Sequence, residues 1–255
     1  MRLATNMLDV MIYNPMEDNS LITASVELPD EDGARLKAIE TYIYDNPLLL
    51  SCFKTVTAIV ESYDFTVVPH SIAAECPHIG ILRQANPDTE SRAVILDDAL
   101  DQFEADILTA MGAPLVNFLR RTFPNIRIHN SLYPFTRYCQ ANLTKGNTVK
   151  AFVDIRQASL DIAVMSAGTL HLLNRFRFHD INDALYYILA ATDDKDADDM
   201  ELLLTGDRAS RDALMPMLRQ FKPYVMPMIF PSAMFRAGAV AMQLPFDLAI
   251  LPLCE

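Results

Sequence analysis

Short β-rich runs at residues 6–13 and 21–28, closed by Asn14-Pro15 and Pro29-Asp30, predict two strands. The period changes over residues 30–45. There Leu36, Ile39 and Ile43 recur on one helical face and acidic residues fill the first turn, so a helix is expected. Residues 54–61 and 64–68 read as two strands about a Ser62-Tyr63 turn, the second closed by Pro69. Residues 73–92 hold Pro77 and Pro87 without a period and are expected to be loop. Residues 113–123 predict a helix, with Pro114 in its first turn and Leu115, Phe118, Leu119 and Thr122 along one face. A strand at 126–128 and a helix at 132–142 follow, and Thr144, Lys145, Gly146 and Asn147 give the clearest hinge signal.

Beyond that hinge the pattern is cleaner. Residues 149–156 read as a strand, and residues 159–165 alternate, with Leu160, Ile162 and Val164 on one face. A turn at Gly168 leads into a third strand at 170–178. Asp180 then caps a helix carrying Ile181, Leu185, Ile188 and Leu189, with Asp183 at its third position. Residues 201–205 form a continuous apolar strand ended by Gly206. Ser210 is expected to cap a further helix, residues 224–229 to form a fifth strand, and residues 243–251 a sixth.

The order strand, strand, strand, helix, strand, helix, strand gives an antiparallel meander flanked by parallel strands, which is the ribonuclease H-like unit. The first half is read the same way. The expected fold is therefore α/β: two ribonuclease H-like units, 1–146 and 147–255, with mixed sheets and helices on both faces.

Composition removes several functions. The net charge of −12 disfavours nucleic acid and anionic lipid as general partners. No two of the seven glycines lie close in sequence, so Walker A, the dinucleotide fingerprint and the kinase glycine loop are all absent. The four cysteines form no CxxC pair, no signal peptide is visible, and no apolar run is long enough to span a bilayer. A reduced, cytoplasmic protein is expected.

Four short motifs carry a resemblance: Asp64-Phe65-Thr66-Val67-Val68-Pro69, Val149-Lys150-Ala151-Phe152-Val153-Asp154, Glu201-Leu202-Leu203-Leu204-Thr205-Gly206 and Leu253-Cys254-Glu255. Through them the chain resembles an uncharacterised family of Bacteroidetes proteins with an actin-like ATPase fold, of the actin/Hsp70/sugar kinase superfamily. More distantly it is similar to the actin-like assembly proteins of type IV pili. The resemblance implies that Asp154 matches the acidic position supporting metal-bound water in active members, and that Thr205-Gly206 resembles the end of their adenosine-binding strand. Active members also carry a glycine-bearing hairpin after the first strand of each unit. Here that hairpin is Asp154-Ile155-Arg156-Gln157-Ala158-Ser159-Leu160-Asp161, with no glycine.

The expected function is accordingly a non-catalytic binding or scaffold module, and the alternative is a weak ATPase or nucleotide-sensing protein. No catalytic residue, metal site or cofactor is assigned. If Mg-ATP binds, Asp154, Arg156, Thr205 and Gly206 are the residues expected to hold it, Arg156 supplying a guanidinium for phosphate. Asp154 and Asp207 would hold Mg²⁺ if they converged, with Asp183 as a third carboxylate; the competing reading makes Asp154 a hairpin contact and Asp207 a solvated loop residue. The acidic run 193–199 fails as an EF-hand, because Asp199 and Thr205 stand where Gly and Glu are needed. His70, Cys76 and His78 lack zinc spacing. Arg120, Arg121 and Arg127 read as helix-end charges, and no nucleophile elbow exists. An unidentified protein is the expected partner. Its candidate interface is the Met- and Pro-rich stretch with Met226, Met228, Phe230 and Met234, unless those side chains fill the core.

Overall fold

The computed structural model describes residues 1–143, 148–193 and 200–254. The hinge at 144–147 and all of the acidic run after Asp193 lie outside the described residues. The chain divides into two compact units, Met1–Tyr133 and Pro134–Glu255.

The first unit opens with strands β1 (Arg2–Leu3), β2 (Met7–Ile12) and β3 (Ile22–Glu27), followed by helix α1 (Asp32–Asp45) and β4 (Val56–Val60). An excursion then runs through β5 (Phe65–Pro69), α2 (His70–Glu75), α3 (His78–Ala85), β6 (Val94–Leu100) and β7 (Ala105–Met111). Helix α4 (Ala113–Thr122) and β8 (Ile126–Asn130) return to the main sheet, whose order is β3-β2-β1-β4-β8. The β1–β2 and β2–β3 pairs are antiparallel, and β1–β4 and β4–β8 are parallel. Helices α1 and α4 bury Ile39, Ile43, Val116 and Leu119 in one core with Leu8, Val10 and Ala58 of the sheet.

Helix α5 (Leu132–Ala141) leads into the second unit: β9 (Lys150–Ile155), β10 (Ser159–Ser166), β11 (Thr169–Arg177), α6 (Ile181–Ala191), β12 (Glu201–Gly206), α7 (Arg208–Leu218) and β13 (Val225–Pro227). The short helices α8 (Ser232–Phe235) and α9 (Phe246–Ile250) follow. The sheet order is β11-β10-β9-β12-β13, with the first three strands antiparallel and the last two parallel to β9. Both units thus share one topology, third-second-first-fourth-fifth, as the ribonuclease H-like reading requires. Asp180 caps α6 as expected: it accepts from the backbone of Asn182 and Asp183, and Asp183 reaches back to the backbone of Asp180.

Several local expectations change. Strand β5 does not pair with β4; it belongs to a separate three-stranded sheet, β5-β7-β6. The expected loop 73–92 holds α3 and the second half of α2, because Pro69 and Pro77 stand immediately before the two helices, where an extended residue without a needed N–H starts a helix rather than breaking one. Strand β10 is buried on both faces instead of alternating. One face packs with Ile188 of α6 and Leu214 of α7, while the other carries Asp161 and Ala163 in equal burial. Asp207, not Ser210, caps α7, and Ser210 donates both its backbone N–H and its hydroxyl to that carboxylate. The expected sixth strand is α9 and its flanking turns, a five-residue helix with every side chain buried. An apolar run hidden on all sides has no period to distinguish helix from strand.

Candidate functional site

The side chains singled out on β9 and β12 converge. The parallel register sets Thr205 beside Asp154 and Gly206 beside Ile155. Gly206 has φ +97, and a Cβ there would fall on the carbonyl oxygen of Ile155 and lie 2.6 Å from Asp154 Oδ1. The end of β12 therefore presses backbone to backbone against β9, which only glycine permits. The N–H of Asp207 donates to Ile155 O at 2.7 Å and fixes this approach.

Around that junction lies a buried charge cluster. Arg156 Nη2 donates to Asp154 Oδ2 at 2.8 Å, to Asp161 Oδ2 at 2.8 Å and to Asp247 Oδ2 at 3.3 Å. Arg175, across the β10–β11 ladder, grips the two oxygens of Asp161 through Nε at 2.6 Å and Nη2 at 2.8 Å. Three carboxylates and two guanidiniums share one cluster whose acids are buried, so Arg156 and Arg175 supply most of the positive charge that the acids require. Burial alone would raise the Asp161 carboxyl, but the two guanidiniums outweigh it and hold the group well below the usual carboxylate range. Cys139 of α5 is buried, and its thiol is pushed well up by desolvation and by the nearby Asp154 carboxylate.

Backbone bonds hold the turn between β9 and β10. Arg156 N–H donates to Ser159 O at 2.8 Å, and Phe178 N–H donates to Ala158 O at 3.1 Å. Asp207 spends its side chain on Ser210, whose backbone N–H and hydroxyl hold it below its ordinary value. Asp183 serves the start of α6, so it does not join Asp154 and Asp207.

Two members of the cluster escaped the sequence reading. Asp247 sits on α9 in a run read as apolar strand, and Arg175 stood unremarked in β11. Asp247 carries a signal, since a single charge within an apolar run that becomes a buried element needs a partner of opposite charge. Arg175 shares its strand with His171 and Arg177, so nothing in the pattern sets it apart.

The first unit lacks the equivalent acid. Arg2 stands opposite Asp9 and beside Ile59, as Asp154 stands opposite Asp161 and beside Thr205. A cation thus occupies the matching position, ion-paired with Asp9 at 3.4 Å and Glu61 at 2.6 Å.

The remaining candidates separate. His70 pairs with Asp106 at 2.8 Å, His78 bonds to Ala73 O, and Cys76 is exposed. Arg120 and Arg121 lie in the last turn of α4, and Arg127 lies on β8. Met226 is exposed and Met228 and Phe230 are half-buried, but Met234 is wholly enclosed. Met234 is therefore a buried residue, and its substitution would report on folding rather than on an interface. No helix among the described residues is long and apolar enough to cross a membrane.

A model of the family described as "Protein of unknown function (DUF3822)" matches residues 1–225. Among solved structures, a Bacteroides thetaiotaomicron protein "with actin-like ATPase fold and unknown function" superposes with a TM-score of 0.82 at 22% identity, covering 100% of this chain and 94% of that one. A "PilM-PilN type IV pilus biogenesis complex" contains a chain matched with a TM-score of 0.58 at 13% identity, covering 100% of this chain and 97% of that one. No curated protein matches the chain. The fold is that of the actin-like ATPases.

Proposed function

We propose that this chain, which belongs to the DUF3822 family of proteins of unknown function, is a non-catalytic binding module. In this reading it keeps the actin-like ATPase fold and fills the phosphate site with its own side chains. The observation that carries the reading is Arg156, one of whose nitrogens meets three carboxylates. In a metal–phosphate site those carboxylates would face a hydrated cation, and the hairpin N–H groups would face phosphate oxygens. Here a guanidinium stands in the cation's place. The residues present do not fit Mg-ATP: Arg156, Gln157, Ala158 and Ser159 replace a glycine hairpin, and the first unit offers Arg2 where an acid belongs.

What remains is a stable scaffold with surface to offer. Met226 is exposed, with Ile229 and Phe235 near it in sequence and also exposed, and they form the partner surface of the second unit. The PilM-PilN structure holds a protein of this fold in a two-protein complex, which supports a protein-binding role by analogy of fold. Four free cysteines suit a reducing cytoplasm.

One observation favours the alternative, a weak ATPase or nucleotide sensor. Thr205 and Gly206 keep a tight strand end beside Asp154, as an adenosine site would. Thermal melting with and without Mg-ATP separates the two readings. A ligand at 100 times its dissociation constant stabilises by about 2.7 kcal/mol, which raises the melting temperature by several degrees. The binding-module reading predicts no upward shift at millimolar Mg-ATP, and a clear shift transfers the assignment to the sensor.

A further inference from the structure

Sheet edges are open hydrogen-bonding templates, and proteins guard them with proline, charge, brevity or a covering element. Among the described residues, the five edges other than β3 are guarded in that way. Strand β13 is three residues long and ends on Pro227. Strand β5 ends on Pro69. Strand β11 carries His171 and the exposed Arg177. Strand β6 docks against the β8 edge, where Asp98 accepts from the backbone N–H of Asn130 at 2.7 Å.

Strand β3 is guarded least, its one charge being the acidic Glu27 at its last position. Its six residues, Ile22 to Glu27, contain no proline and no basic residue, and among the described residues only β2 pairs with it. Ile22 is 53% exposed at its start. Ile22, Ala24 and Val26 share one face of the strand. On that side a groove of about 620 Å³ opens between Val26 and helix α1, lined by Ala34, Lys37, Ala38, Thr41, Tyr42 and Asp45. Its size suits one or two apolar side chains of an incoming strand.

Charge selects the occupant. From residue 17 to residue 32 every charged side chain is acidic: Glu17, Asp18, Glu27, Asp30, Glu31 and Asp32. Arg35, just beyond, is bound to Asp32 at 2.7 Å and to Asp30 O at 2.6 Å, and Lys37 shares the groove lining with Asp45, so the surplus acids lie at the two ends of the strand. A second copy pairing edge to edge would set these acids against their own kind, and like charges directly opposite destabilise a ladder. A basic strand meets complementary charge at both ends of β3.

We infer that β3 takes an extended, basic segment of a partner protein by strand addition, with apolar side chains of that segment seated in the groove beside α1. This deepens the binding-module reading but uses no residue of the Arg156 cluster, so the Mg-ATP melting result and the test below fail independently.

The test uses the full chain and a labelled, acetylated peptide of alternating Lys and Val, as long as β3, with a Glu–Val peptide as its counterpart. Fluorescence anisotropy gives the affinities and amide hydrogen exchange locates the contact. The Lys–Val peptide is expected to bind at least about tenfold more tightly than the Glu–Val peptide and to slow exchange across residues 22–27. The variant Glu27→Lys/Asp30→Lys/Glu31→Lys, whose positions are on the surface, should weaken the Lys–Val peptide by about tenfold or more. Equal binding of both peptides, protection confined to another region, or unchanged affinity in the charge-reversed variant overturns the inference. Sedimentation of the chain alone as a dimer whose β3 amides are already protected overturns it in favour of a second copy.

Discussion

Arg156→Met is expected to destabilise the second unit by about 3–5 kcal/mol, the cost of removing one partner from a buried ion cluster. The substitution keeps the aliphatic stem and deletes the charge that Asp154, Asp161 and Asp247 share. Asp161 keeps Arg175, so the loss of the guanidinium falls mainly on Asp154 and Asp247, one on β9 and one on α9. Loss should therefore appear first in the attachment of α9, read as faster hydrogen exchange at residues 246–250. Adding Asp247→Asn to Arg156→Met should cost less than the sum of the two single changes, because the second removes a charge that the first left exposed to its own desolvation. The same cluster sets an acid limit. Asp161 is held below its ordinary value in the fold, so its contribution is complete above the unfolded value of about 3.9 and is lost as pH falls through the folded one. A change within about 0.5 kcal/mol for Arg156→Met, the range of an ordinary surface substitution, would mean that the cluster does not hold α9.

Gly206→Ala is expected to prevent the second unit from folding. Its φ of +97 is strained for any L side chain, and the new Cβ would fall on the Ile155 carbonyl oxygen. That obstacle is backbone in the central strand of the sheet, so relief requires β12 to separate from β9 and to lose the register that places Thr205 beside Asp154. Gly168→Ala is the internal control. Gly168 also has positive φ, at +78, but no atom lies within 4 Å of the site a Cβ would take, so it should cost only about 1–2 kcal/mol. Far-ultraviolet circular dichroism and urea denaturation distinguish the two. Equal behaviour of both variants would remove the argument that the close approach at Gly206 shapes this site.

The second unit was legible because its signals are local. Asp180 and Asp183 announce α6, Gly168 and Gly206 mark strand ends, and β9 to β12 are runs of apolar residues in sequence order. The inserted sheet of the first unit was not, for physical reasons. Strands β6 and β7 are joined through Glu104 in the left-handed region without a glycine, and β6 carries Asp97 and Asp98 in mid-strand. Asp98 is paid for by tertiary partners, His129 and the backbone of Asn130, that no window of sequence contains. The site was legible in part. The acidic position of β9, the arginine after it and the glycine-ended strand beside them were visible in their motifs. Asp247 was not, since it lies 91 residues from Arg156 in the chain and the helix that carries it has no exposed face.

Phosphate release from ATP by the wild-type chain, with Asp154→Ala beside it, bears most directly on whether this fold has kept any catalysis. The binding-module reading predicts release by both proteins equal to the protein-free blank at millimolar Mg-ATP. Release by the wild type above that blank, abolished in Asp154→Ala, would contradict it.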